Sequence, residues 1–270
     1  MDILRGLILG AVQGVAEWLP ISSEGICTLI LVNFFHTDFK QAVYQSIWLH
    51  AGTLCAALVY YRQEVWNLCK HLPAYFRDIR NSFASPPGDT INYLIIATGV
   101  SCALGGPLLL LGIDQVQLPA AIVSALIGIL LIVTGIVQKL AQRSGASNLE
   151  RTVGWKDSLV TGIAQGFSVL PGISRSGMTI STLLFFRYSG AQALKLSFLL
   201  SIPAVFIAEL AILVTGKVSL GAGDIASIAS AFAVGLLSIY LVMKLSARIP
   251  FWAFCVVFGL LSLVPWITSL

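Results

Sequence analysis

Long apolar segments recur along the whole chain, separated by short stretches that contain Pro, Gly or charged residues. Six of them are mostly apolar and reach the roughly 20 residues that a helix needs to cross a bilayer. They cover residues 43–61, 91–113, 119–138, 192–214, 222–243 and 250–268. Charged residues make up only 10% of the chain, against about 25% in soluble domains, which excludes a soluble globular protein. The pattern predicts an all-α integral membrane protein.

Two further apolar segments, 3–35 and 156–187, are interrupted near the middle. The first is interrupted at Pro20 and the polar residues after it, and the second at Pro171 and Gly172. Helix-breaking residues at membrane depth are tolerated where the backbone is buried in protein or lines a wet cavity. We therefore predict that each segment is a re-entrant helical hairpin, which enters and leaves the membrane on one side.

The two interrupted segments resemble each other. Residues 10–14 read G-A-V-Q-G and residues 162–166 read G-I-A-Q-G, and each run is followed by Leu-Pro, Ser and Gly. The chain of 1–270 is thus predicted to be a single membrane domain of two repeats, about 1–145 and about 150–270. Each repeat has one hairpin and three transmembrane helices, and because three is odd the second repeat is inverted. The two breaks are then expected to face each other.

The Lys and Arg residues predict the orientation in the membrane. Twelve fall on one side of the predicted helices, namely Arg62, Lys70, Arg77, Arg80, Lys139, Arg143, Arg151, Lys156, Arg187, Lys195, Lys244 and Arg248. On the other side are Arg5, Lys40 and Lys217. By the positive-inside rule the crowded side is cytoplasmic, so both termini are expected outside the plasma (inner) membrane. We interpret the net charge of +4 as a consequence of the Lys and Arg residues that set the membrane topology, and we expect no nucleic-acid partner.

Ionisable side chains within the apolar segments are concentrated at the two breaks. Glu17 and Glu24 belong to the first break, and Arg175 belongs to the second. A charge at the bilayer centre costs at least ~2.5 kcal/mol on insertion scales, so such residues pair, line water or have a function. A structural ion pair between Arg175 and Glu17 is the alternative to a functional role for Arg175.

The surroundings of Arg175 suit a phosphate group. Gly172, Ser174, Ser176 and Thr179 accompany it, and a half-helix that begins after the Pro-Gly pair would point free backbone N–H groups at an anion. An Arg guanidinium offers a fixed fork of donors to phosphate oxygens. For the hydroxyls at the first break, Ser22 and Ser23, helix capping is the alternative to a role in chemistry.

These motifs resemble the undecaprenyl-pyrophosphate phosphatases, the bacitracin-resistance membrane phosphatases called BacA or UppP, over the entire chain. The first family signature is approximately E-G-x-x-E-[FW]-L-P-[IV]-S-S-x-G-H, and residues 13–26 read Q-G-V-A-E-W-L-P-I-S-S-E-G-I. The second signature, P-G-x-S-R-S-G-x-T, is matched in full by residues 171–179. Further similarity lies in 49–54 and 197–203.

The resemblance implies an enzyme that removes the terminal phosphate of undecaprenyl (polyprenyl) diphosphate, so that the cell-envelope lipid carrier is recycled. The implied catalytic residues are Glu17, Ser23 and Arg175, with Ser23 as candidate nucleophile. The implied substrate-binding residues are Ser22, Ser174, Ser176, Thr179 and Gly172. A divalent cation, Mg²⁺ or Ca²⁺, would be held by Glu17 and Gln13. The expected partners are the diphosphate lipid and membrane lipid, and a homodimer is left open.

Two positions depart from the family pattern. Gln13 stands where the family has its first glutamate, and Ile26 stands where it has its histidine. If the chemistry of the family depends on this histidine, the protein either uses a substitute such as Glu24 or is inactive. Whether His50 reaches the site is left open. Because opposed broken helices are also the architecture of alternating access, a polyprenyl-phosphate flippase or an anion transporter is the alternative function.

Overall fold

The computed structural model describes residues 1–77, 88–109, 118–143, 151–214, 216, 221–245 and 251–268, and all regular secondary structure in these ranges is helical. The first half contains α1 (Ile3–Ala16), α2 (Ser23–Asn33), α3 (Phe39–Trp48), α4 (His50–Tyr60), α5 (Arg62–Arg77), α6 (Gly88–Pro107) and α7 (Ala120–Arg143). The second half contains α8 (Trp155–Gly166), α9 (Arg175–Phe185), α10 (Gly190–Val214), α11 (Ala222–Leu245), α12 (Phe251–Ser262) and α13 (Val264–Ile267). The all-α prediction is confirmed.

Five helices of the described chain are long and apolar enough to cross a membrane. They are Phe39–Tyr60, Gly88–Pro107, Ala120–Arg143, Gly190–Val214 and Ala222–Lys244. These correspond to five of the six predicted spans, although residues 110–113 of one span lie outside the described ranges. The predicted span at 250–268 is a shorter apolar segment, Phe251–Ile267. The chain is a multi-pass membrane protein.

Each of the two interrupted segments consists of two helices separated by a break. Residues 17–22 separate α1 from α2, and Ser22 caps α2 with a φ of 63° that reverses the backbone. Residues 167–174, which begin with a 3-10 turn, separate α8 from α9. Ser174 caps α9, and Gly172 has a φ of +105°, a left-handed conformation that favours Gly.

Glycines on the first helix of each interrupted segment allow close packing against a long helix. A Cβ at Gly10 of α1 would lie 2.2 Å from the Ser227 carbonyl oxygen on α11. In the same way, a Cβ at Gly162 of α8 would lie 2.8 Å from the Ala97 carbonyl oxygen on α6. Apolar burial gives little driving force between helices in lipid, so small residues that let backbones approach stabilise such pairs. The glycines of the repeated Gly-x-x-Gln-Gly motif thus let α1 pack closely on α11 and α8 pack closely on α6. This packing positions the break that follows each of these two helices.

The two breaks are in direct contact. The Gly172 backbone N–H donates to Ser22 Oγ at 3.2 Å, and Ser176 Oγ donates to the Leu19 carbonyl at 3.3 Å. A Cβ at Gly25 would lie only 2.9 Å from the Gly172 nitrogen, so the approach requires glycine. The sequence-based expectation that the breaks face each other agrees with these contacts.

Two polar residues one turn apart on α7 hold both breaks. Thr134 Oγ1 donates to the Gly172 carbonyl at 3.3 Å and accepts from the Ser174 N–H at 3.4 Å. Gln138 Nε2 donates to the Pro20 carbonyl of the other break. Backbone groups that leave a helix in an apolar region need such partners, because an unpaired buried group costs several kcal/mol. The buried face of α7 thus supplies hydrogen-bond partners to the backbone of both breaks.

Candidate active site

The breaks border a cavity of about 300 Å³ that has a cluster of charged and polar side chains, here called its polar end, and largely apolar walls that also include Ser101, Gln165 and Ser168. The polar end is formed by Glu17, Ser22, Ser23, Glu24, His50, Ser174, Arg175 and Ser176. The walls come mainly from α6 and α10, and many of their side chains are small, including Gly105, Gly106, Ala204, Ala208 and Ala211. A cavity of this kind accommodates a ligand with a charged group at one end and an apolar chain at the other.

Glu17 is the centre of the polar end and is 5% exposed. Its Oε1 accepts a short hydrogen bond from Arg175 Nη2, which joins the two breaks across the chain. Its Oε2 accepts from Gln13 Nε2 at 2.8 Å, from Ser23 Oγ at 2.7 Å and from His50 Nε2 at 3.1 Å. Four donors therefore surround one buried carboxylate, which satisfies the charge that burial would otherwise penalise.

Arg175 is the first residue of α9, next to the Ser174 cap. Only one of its terminal nitrogens binds Glu17, and the other, Nη1, is buried with no hydrogen-bond partner among the described residues. A guanidinium presents its donors as a fork, so the free nitrogen is available to an oxyanion in the cavity. The positive end of the α9 dipole lies at the same place. The ion pair and the anion site, which were alternatives for Arg175, are thus compatible.

The other predicted substrate-binding residues fall into two groups. Ser22, Ser174 and Ser176 line the cavity, but Ser22 and Ser174 also cap α2 and α9. Thr179 is fully buried, where its hydroxyl lies 2.6 Å from Ser197 Oγ, and neither Thr179 nor Gly172 lines the cavity. Gly172 instead contacts Ser22 and Thr134, and Thr179 contacts Ser197, so both residues contribute to the packing around the second break.

The proposed cation ligands are arranged differently from the expectation. Gln13 turns its NH₂ group to Glu17, and its carbonyl oxygen accepts from the Cys27 thiol at 3.7 Å. The described residues hold no group of three or more His, Cys, Asp or Glu suited to a metal ion. Among the described residues that line the cavity, Glu24 has a carboxylate oxygen, Oε1, that is buried without a hydrogen-bond partner. A cation ligated by both Gln13 and Glu17 does not fit this arrangement, whereas Glu24 offers a free oxygen.

His50 reaches the site, and Ile26 does not. Ile26 packs against the apolar cluster of Ala16, Ile21 and Cys255 and does not line the cavity. Sequence reasoning left His50 open because it lies 33 residues beyond Glu17, within a predicted span. Its polar character inside an apolar helix was the available signal. Sequence reasoning also missed Gln165, which occupies the position of Gln13 in the second copy of the motif. Gln165 lines the cavity and donates to Ser101 Oγ at 3.0 Å.

Comparisons with known proteins agree with this architecture. The family model described as bacitracin resistance protein BacA matches residues 6–264. A protein of Methanococcoides burtonii named undecaprenyl-diphosphatase is 45% identical over 98% of both chains. Proteins of the same name from Haloarcula marismortui and Syntrophotalea carbinolica are 36% identical, over 97% of this chain and 96% of the relative, and 37% identical, over 95% of each. The chain therefore belongs to the bacitracin resistance protein BacA family.

Proposed function

We propose that the chain hydrolyses undecaprenyl diphosphate to undecaprenyl phosphate and inorganic phosphate, in the recycling of the cell-envelope lipid carrier. The observation that carries this proposal is the convergence of Arg175, Glu17 and Ser23 at the polar end of a cavity with apolar walls. The name undecaprenyl-diphosphatase, borne by full-length relatives, supports the same reaction.

The cavity suggests how such a lipid binds. Its diphosphate would accept hydrogen bonds from the free Nη1 of Arg175, from the Ser174 and Ser176 hydroxyls and from the N-terminus of α9. The first isoprene units would lie between α6 and α10. A volume of about 300 Å³ corresponds to the share of about ten water molecules in the liquid, too little for the whole undecaprenyl chain. Most of the chain would therefore remain in the bilayer.

Ser23 and Glu17 are positioned for nucleophilic catalysis. The Ser23 hydroxyl already donates to Glu17 Oε2, so the carboxylate can take its proton as Oγ attacks the terminal phosphorus. The new bond is Oγ–P, and the bond from phosphorus to the bridging oxygen breaks, so that undecaprenyl phosphate leaves with the electron pair. Water then attacks the phosphoserine, inorganic phosphate leaves, and Ser23 recovers its proton. Arg175 would stabilise the negative charge on the transferring group.

A divalent cation remains part of the proposal. When bound, Mg²⁺ or Ca²⁺ would neutralise charge on the diphosphate oxygens. Glu24 is the residue that would hold it, because its Oε1 is buried beside the cavity without a partner. Glu17, whose oxygens already accept four hydrogen bonds, would act on Ser23 instead.

We infer the finer topology from reciprocal packing. α1 packs on α11 while α8 packs on α6, and α7 packs on α12. If 1–145 and 150–270 are inverted repeats, each with a re-entrant hairpin and three transmembrane helices, then α1 corresponds to α8, α6 to α11 and α7 to α12. Under this correspondence the α1–α11 pair is equivalent to the α8–α6 pair, and the α7–α12 pair is equivalent to itself. With both termini outside the plasma (inner) membrane, the substrate would be processed at the outer face. Labelling of single cysteines from either side of sealed vesicles tests this orientation and any homodimer contact.

Phosphate release by the purified protein in detergent tests the function. We expect release from undecaprenyl diphosphate with Mg²⁺ or Ca²⁺, and loss of about 100-fold or more in kcat/KM for Arg175→Ala. Arg62→Ala is the matched control, because Arg62 is exposed and its side chain donates to the Val59 carbonyl near the end of α4, outside the cavity. Absence of release from undecaprenyl and farnesyl diphosphates alike would contradict the proposal. The transport alternative is not favoured, since the full-length relatives carry the name of a phosphatase.

A further inference from the structure

His50 is held by three oxygen atoms. It is the first residue of α4, and its side chain is buried at the edge of the cavity. Nδ1 lies 3.0 Å from the carbonyl oxygens of Ser46 and Ile47, in the last turn of α3. Nε2 lies 3.1 Å from Glu17 Oε2. All three oxygens are acceptors, so each ring nitrogen is a donor and carries a proton.

The imidazole lies at the junction of α3 and α4, where Leu49, the one residue between them, keeps helical φ and ψ of −62° and −23°. The last carbonyls of a helix have no partner within the helix, and the negative end of its dipole favours a cationic group. His50 contacts two carbonyl oxygens in the last turn of α3, those of Ser46 and Ile47. The ring is thereby oriented by backbone atoms, which leaves Nε2 directed at Glu17.

The hydrogen bonds around Glu17 compete with one another. An Arg guanidinium prefers to bind both oxygens of a carboxylate, whereas Arg175 binds only Oε1 of Glu17. Gln13, Ser23 and His50 all donate to Oε2, and His50 is the cationic donor among them. Without the imidazole, the carboxylate could rotate so that Arg175 binds both oxygens. Oε2 would then lose its contact with the Ser23 hydroxyl.

We propose that His50 is a positioning residue of this site, which keeps Glu17 Oε2 on the Ser23 hydroxyl and away from the Arg175 guanidinium. This proposal rests on the proposed function, in which Glu17 takes the proton of Ser23. Position 26, where the resembling signature has histidine, holds an Ile that packs against Ala16, Ile21 and Cys255. In this chain the imidazole of the site therefore comes from α4 instead of α2.

Two variants test the proposal kinetically. His50→Leu removes the donor, and we expect kcat to fall about 100-fold, as for a misplacement of about 1 Å in a reacting group. KM should stay within about threefold of the unaltered protein, because the diphosphate contacts are retained. His50→Gln keeps an NH₂ donor near Nε2 and should recover kcat to within about tenfold of the unaltered value. His71→Leu, on exposed α5, is the matched control and should change neither constant.

Outcomes that overturn the proposal are equally specific. A rise in KM at unchanged kcat for His50→Leu would make His50 a binding residue, and equal losses in His50→Leu and His50→Gln would exclude positioning through a donor. If His50→Leu does not fold, His50→Gln still has to retain activity.

A second measurement does not depend on activity. The chain has three histidines, so the ring nitrogens of protein labelled with ¹⁵N-histidine can be assigned by NMR through loss of the His50 signals in His50→Gln. Glu17→Gln should shift both His50 ring nitrogens and leave His36 and His71 unchanged. Unchanged His50 signals would refute the contact, even if the protein is an active phosphatase. Shifted signals in a protein that releases no phosphate would refute the proposed function and leave the contact established.

Discussion

Gly25 lies where the two breaks touch, and replacing it with Ala tests whether their close approach assembles the site. An added Cβ would lie 2.9 Å from the Gly172 nitrogen and 3.0 Å from Ser22 Oγ, whereas ordinary contact begins at 3.4 Å. The closest atom belongs to the backbone, and the other belongs to a capping side chain. The second break must therefore move by about 0.5 Å, the difference between the contact distances.

The expected change in stability is the balance of two effects. Gly25 lies in the first turn of α2, so Ala gains about 0.5–1 kcal/mol from its lower conformational entropy when unfolded. Overpacking against the second break costs about 1–3 kcal/mol. Gly99→Ala on α6 is the matched control, because nothing lies within 4 Å of the added Cβ. We expect Gly25→Ala to be less stable than this control by about 1–3 kcal/mol.

Gly25→Ala should also lower kcat. The displaced break carries Arg175, while Glu17 and Ser23 remain on the first break, so kcat is expected to drop about tenfold or more. Thermal unfolding in detergent and phosphate release from undecaprenyl diphosphate measure the two effects. If Gly25→Ala equals Gly99→Ala in both stability and kcat, the two breaks do not approach as described and the assembled site is refuted.

Three further substitutions separate the roles of the first break. Ser23→Ala should lower kcat more than about 1,000-fold, as for a lost nucleophile, and residual activity near that of the unaltered protein would exclude Ser23. Glu24→Gln should raise the Mg²⁺ concentration for half-maximal activity about 10–100-fold, with an unchanged requirement arguing against Glu24 as ligand. Ile26→His should destabilise the protein by about 1–3 kcal/mol without raising phosphate release, because the imidazole enters an apolar cluster. Increased release would place position 26 in the cavity.

The sequence predicted those features that are encoded over short distances. A helix that crosses lipid must satisfy its own backbone, so apolar length alone identified five helices that could cross a membrane. Pro20 and Pro171 marked the two breaks, because a local interruption needs local helix breakers. The ion pair of Glu17 and Arg175 was one of two alternatives that the sequence offered, because charges in apolar segments need partners or a function.

The contacts that shape the site depend on how distant helices pack. His50 reaches Glu17 from the start of α4, two residues after the end of α3, whereas Ile26 packs against Ala16, Ile21 and Cys255. The small side chains of α6 and α10 meet only in the folded protein, where they become cavity walls. Membrane helices are apolar on nearly every face, so hydrophobic periodicity says little about which face meets which neighbour. Composition and local breaks therefore determine the helices, whereas packing at glycines and a few buried hydrogen bonds determines the active-site geometry.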